Sequence, residues 1–154
     1  MNTQNESATV ATKRALENIA RFNPIVNAMI SVATDQALAR AAHLDALPAN
    51  ARGPLHGMIV NLKDNIDLAG SVTTAASIIL KDNLAQQSAF ITDRLIAAGA
   101  VIIGKSNLHE WVFGPTSQSK HFGPVKNPWD LDRIPGGSSG GSGASVASKM
   151  CAVS

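Results

Sequence analysis

Apolar positions near the start of the chain repeat at helical spacing. Val10, Ala11, Leu16, Ile19 and Ala20 follow Ser7, whose hydroxyl can accept from the first free amides of a helix. That helix is expected to end near Asn23 and Pro24, because a residue before proline is pushed out of the helical region. Residues 25–32 are apolar and β-branched enough for a short strand. Thr34 and Asp35 then open an alanine-rich helix through Leu47, with Pro48 behind it. Gly53, Pro54 and Gly57 punctuate a loop before a strand over 58–63. Ser88 is placed to start a helix over 89–98, and Gly99 to end it in a left-handed conformation. Val101, Ile102 and Ile103 read as a buried strand, and Asn107 as the cap of a short helix over 108–113. Residues 114–135 carry Pro115, Pro124, Pro128 and Pro135 and read as loop. A glycine–serine block over 136–143 leads into a small-residue helix over 144–150. Helices and strands in alternation, with no repeat and no dividing linker, predict an α/β fold.

Composition narrows the function classes. Hydrophobic residues make up 45% of the 154 and charged residues 16%, so a core can form and a disordered tail is excluded. Lys and Arg number 13 against 11 Asp and Glu, a surplus of +2 with no basic stripe, which gives direct nucleic-acid binding no support. Aromatic residues are 4%, with no tyrosine, so base-stacking platforms are not expected either. The single cysteine, Cys151, rules out an internal disulfide and suggests a reducing compartment. The polar stretch 1–6 and the Lys13-Arg14 pair do not open a targeting segment. Apolar runs such as 78–80 and 97–103 are far shorter than the ~20 residues a membrane helix needs. A soluble cytoplasmic protein is the expectation.

Several candidate chemistries can be weighed on the residues themselves. The string 99–106, ending Gly104-Lys105-Ser106, satisfies a phosphate-loop pattern, but a helix precedes it and its interior Ala-Val-Ile-Ile belongs in a strand. Its amides are therefore expected in a sheet rather than around phosphates. His43, His56, His109 and His121 are scattered, and His109-Glu110 lacks the second histidine of a zinc helix, so no metal is implied. The 136–143 block suits either a functional loop, presenting amides at a helix start, or a structural tight turn. Lys63, at the end of an apolar strand, either snorkels to solvent or stays buried as a neutral base for a serine hydroxyl.

Longer strings decide more. Gly53-Pro54-Leu55-His56-Gly57-Met58-Ile59-Val60-Asn61-Leu62-Lys63-Asp64-Asn65-Ile66 closely resembles the catalytic-lysine segment of the amidase signature family. Thr73-Thr74-Ala75-Ala76-Ser77, Gly104-Lys105-Ser106-Asn107-Leu108-His109-Glu110 and Phe122-Gly123-Pro124-Val125-Lys126-Asn127-Pro128-Trp129-Asp130 are similar to its next landmarks, in order. Arg133-Ile134-Pro135-Gly136-Gly137-Ser138-Ser139-Gly140-Gly141-Ser142 matches the start of the signature itself. Ile59 stands where the family usually has proline, and Ala76 where it has glycine.

This resemblance implies the N-terminal portion of the amidase signature fold, a mixed β-sheet flanked by helices. Residues 1–50 would form a helical N-terminal segment, and 53–154 the first part of the catalytic core. It implies a hydrolase of carboxamide carbon–nitrogen bonds working through a Ser–cisSer–Lys mechanism. Lys63 matches the base, and Ser138 the relay serine that follows a cis peptide bond. Gly137 and Ser139 would lie beside the relay, and 114–119 would line the site. No cofactor or metal is called for, and the partner is a small-molecule amide. The family's nucleophilic serine would fall about eight residues beyond Ser154, and a half-matched motif does not carry its chemistry. Ser145, Ser148 and Ser154 do not stand at its position. The expectation is therefore an amidase truncated before its nucleophile and inactive alone. Alternatives are a glutaminase like the A component of a tRNA-dependent amidotransferase, with partner subunits, and a non-catalytic vestigial or binding protein.

Overall fold

Ser7 opens the first helix as expected. In the computed structural model, which describes residues 6–154, its hydroxyl accepts from the Val10 amide at 3.2 Å at the head of α1 (Ala8–Val26). The polar residues 1–5 lie outside the described residues. Asp45 reinforces this start, taking the Ala8 and Thr9 amides at 2.7 and 2.9 Å.

α1 runs past the expected stop at Asn23 and Pro24. Pro24 sits in its last turn, where the amide it lacks leaves only the carbonyl of exposed Ala20 without a helical donor. Buried Val26 and left-handed Asn27, whose amide bonds Asn23 O at 2.8 Å, close the helix instead. The strand expected over 25–32 is accordingly shortened to β1 (Met29–Val32). α2 (Thr34–Asp45) follows and stops two residues before Leu47.

β2 (Ile59–Lys63), α3 (Phe90–Ala97) and β3 (Val101–Ser106) come next. Ser88 does not cap α3; its hydroxyl accepts from the Ala69 amide at 3.0 Å, while Gly99 takes the expected positive φ of 97° behind the helix. The helix expected over 108–113 is reduced to one turn at Glu110–Val112. Long-range carbonyls capture the amides such a helix would need: His109 N–H donates to Ser138 O and Trp111 N–H to Ala75 O. Trp111 and Val112 stand at positive φ as a result. Residues 114–135 contain no helix and no strand of a sheet, and α4 (Gly140–Ala147) begins inside the glycine–serine block, not at Ala144.

The sheet order is β1-β3-β2, with β1 antiparallel and β2 parallel to the central β3, so the sheet is mixed. Val153 adds a parallel bridge to Val60 on the other edge of β2. Alternation along β3 sends Val101 and Ile103 to one face, where α1, α2 and α4 bury Ile19, Leu44 and Ala144 against them. Ala100 and Ile102 join Val60 and Leu62 in a second cluster covered by Leu95 and Ile96 of α3. Helices thus flank both faces of a mixed sheet. Lys63 pairs with Ser106 at the carboxyl ends of the parallel strands, the end at which α/β sheets place their ligands. No helix among the described residues is long and apolar enough to cross a membrane.

Candidate active site

Lys63 is the last residue of β2, and its amine reaches across to the loop before α4. Nζ donates to Ser138 Oγ at 2.7 Å and to Ser139 Oγ at 2.7 Å. Burial pushes the Lys63 amine below the ordinary lysine range. Of the two readings open for this side chain, the contact geometry is that of a lysine turned onto serine hydroxyls. The structure therefore brings together residues 75 and 76 positions apart in sequence.

The peptide bond between Gly137 and Ser138 is cis. A Cβ on Gly137 would lie 2.7 Å from Ser117 Oγ and 2.9 Å from the Ser117 amide nitrogen, so the turn closes only with glycine there. Ser138 is pinned from the outside by His109, whose amide donates to its carbonyl at 3.0 Å. The His109 ring shares a 3.1 Å hydrogen bond with Thr116 Oγ1. Four histidines scattered in sequence thus include one with a positioning contact through its backbone. Among the described residues, no group of His, Cys, Asp and Glu is arranged to hold a metal ion.

Two charged residues beside the site were given no role in it by sequence reasoning. Lys105 and Asp64, each flanking a residue of the Lys63–Ser106 pair, form a buried ion pair at 2.9 Å. The lysine of the phosphate-loop-like string is thereby engaged, and the string's Val101–Ser106 portion lies in the sheet, as its apolar interior requires. Charged residues embedded in apolar stretches were the available signal, since a buried charge is normally paired. Ser117, fully buried, lies in the 114–119 stretch expected to line the site, but nothing in its local sequence distinguishes it from its neighbours there. A groove of about 1220 Å³ runs between α1, residues 52–59 and 149–152, but neither Lys63 nor Ser138 lines it.

The chain holds a lysine beside a cis glycine–serine turn at the end of a mixed sheet, and residues 10–154 match the Amidase family model. The chain belongs to that family. Among its relatives is the A component of the Symbiobacterium thermophilum glutamyl-tRNA(Gln) amidotransferase, 46% identical over 144 residues, 92% of this chain and 30% of the relative. The peptide amidase of Stenotrophomonas maltophilia is similar in structure, with a TM-score of 0.86 at 36% identity over 95% of this chain and 32% of that one. The A component of the Thermotoga maritima glutamyl-tRNA(Gln) amidotransferase superposes with a TM-score of 0.78 at 37% identity, over 94% of this chain and 29% of that one. The chain spans about a third of the length of the curated relatives it matches.

Proposed function

We propose that this chain carries the base and the relay of a hydrolase acting on carboxamide carbon–nitrogen bonds. The observation that supports it is the 2.7 Å contact between Lys63 Nζ and Ser138 Oγ, on a lysine whose neutral form is favoured by desolvation. Neutral Lys63 takes the Ser138 hydroxyl proton while Ser138 takes the proton of a nucleophilic serine, whose oxygen attacks the amide carbonyl. When the tetrahedral adduct collapses, the proton returns through Ser138 to the departing nitrogen. The C–N bond breaks, ammonia or an amine leaves, and an acyl-enzyme remains. Water then repeats the sequence and frees the acid, restoring both hydroxyls and the neutral amine. Each step moves only protons and an acyl group, so no cofactor is called for. Ser139 gives the amine a second partner, and Gly137 leaves room for the turn.

The nucleophile segment that the family resemblance calls for falls, in register, beyond position 154. The test of the base and relay is a graft of residues 10–154 in place of the matching third of the Symbiobacterium thermophilum relative. Ammonia release from glutamine should survive the graft and fall by about a thousandfold on Lys63→Ala. A Lys63→Ala graft as active as its parent overturns the reading.

A second reading is the ammonia-supplying component of a tRNA-dependent amidotransferase. It is favoured by the glutamyl-tRNA(Gln) amidotransferase relatives at 40% and 46% identity. It requires partner subunits that copurify with the chain from its native source, and a chain recovered without them counts against it.

A further inference from the structure

We propose that Ser117 is a positioning residue whose buried hydroxyl clasps both ends of the 136–140 turn and so holds Ser138 against Lys63. The proposal rests on the reading of Lys63 and Ser138 as base and relay. Ser117 is 0% exposed and stands at φ 51°. Its Oγ donates to Gly136 O at 2.7 Å and accepts from Gly140 N–H at 2.8 Å. One hydroxyl thereby satisfies the carbonyl that enters the turn and the amide that leaves it. Gly140 is the first residue of α4, so its buried N–H has no partner inside the helix.

The glycines of the turn fit this hydroxyl. A Cβ on Gly140 would lie 2.3 Å from Ser117 Oγ, and one on Gly137 2.7 Å from it. The backbone closes around the oxygen because both positions lack a side chain. Ser117 is itself anchored, since its carbonyl accepts from the Val125 amide at 3.0 Å. Among the described residues, it is the one side chain hydrogen-bonded to the backbone of 136–140. The backbone of Ser138 itself is held by the His109 amide. Without the hydroxyl, a buried donor and a partly buried acceptor lose their partner at once, and the turn is free to lift its serines from the amine.

The test uses the 154-residue chain with Ser117→Ala, Ser117→Gly and Ser117→Cys. Glycine removes the hydroxyl while favouring the positive φ, so it destabilises the fold less than alanine does. Amide hydrogen exchange at Gly140 reads the clasp. An NMR titration of the Lys63 side chain reads the positioning. Alanine and glycine are expected to speed Gly140 exchange at least tenfold and to move the Lys63 titration up toward the ordinary lysine value of 10.5. Both should do so alike, although they differ in thermal stability, and cysteine, a weak donor and acceptor, should lie between them and the parent. Unchanged Gly140 exchange in Ser117→Gly overturns the clasp. Faster Gly140 exchange with an unmoved Lys63 titration overturns the positioning role and leaves a merely structural hydroxyl. If parental Lys63 titrates at the ordinary lysine value of 10.5, the base reading fails, while Gly140 exchange still decides the clasp.

Discussion

Lys105 and Asp64 form an ion pair, Nζ to Oδ1 at 2.9 Å, with both side chains 1% exposed. The pair ties the residue after Lys63 to the residue before Ser106, at the carboxyl ends of the parallel strands. Each partner is further satisfied. Asp64 accepts from the Thr74 amide at 3.0 Å and from the Thr74 hydroxyl, and Lys105 donates to Thr73 Oγ1 at 3.0 Å. One short stretch of chain, 73–74, is thereby locked beside Lys63.

Removing one partner leaves the other charge buried and uncompensated. Asp64→Asn and Lys105→Met are each expected to lower the unfolding free energy by about 3–5 kcal/mol, measured by urea denaturation. Asp64→Leu combined with Lys105→Met should cost less than the sum of the single changes. Single losses under about 1 kcal/mol, the size of a surface pair, would show that the pair is solvated.

The Lys63 amine is pushed below its ordinary 10.5 by burial. Between that depressed folded value and 10.5 the unfolded chain binds more protons than the folded one, so stability rises with pH across this window. At lower pH the cost of a desolvated ammonium is fully present. Lys63→Met removes the term, so its stability advantage over the parent should shrink as pH climbs toward 10.5. Urea midpoints near neutral pH and near pH 10 check this, and a difference that stays constant contradicts it.

Gly104 sits where β1 and β3 approach. A Cβ there would lie 2.2 Å from Ser31 O and 2.7 Å from Met29 Cε. Gly104→Ala is expected to cost about 2–3 kcal/mol and to release the amides of β1 in hydrogen exchange. Unchanged protection of Met29–Val32 would mean the sheet absorbs the methyl group.

Asp45 caps α1 from the end of α2. Burial raises its pKa, but hydrogen bonds from Thr9 and Ala8 outweigh that and leave it lowered from 3.8. Its contribution is therefore present above the unfolded value and lost as pH falls through the folded one. Asp45→Ala should cost about 1 kcal/mol at neutral pH and progressively less in acid, as thermal unfolding against pH would show. A cost that persists at low pH would assign the effect to packing.

Much of the fold was legible because its signals are short-range. The Ser7 cap and the left-handed Gly99 need only a few neighbouring residues to act, and the alternating apolar residues of β3 need only a sheet to enter. Pro24 misled because the rule it invokes is local, whereas the burial of Val26 and the Asn27 cap are decided by what α1 packs against. The turn at Glu110–Val112 misled for a related reason: its amides go to Ser138 and Ala75, carbonyls far away in sequence.

The site divides in the same way. The order of residues by itself named the family and marked Lys63, Gly137, Ser138 and Ser139, since those strings are specific to one arrangement of backbone and chemistry. It could not bring Lys63 Nζ to the two hydroxyls, pair Lys105 with Asp64 or seat Ser117 inside the turn. Those contacts join residues far apart along the chain, and no local periodicity encodes them. They were decided when the sheet set its register and each buried donor, acceptor and charge had to find a partner away from water.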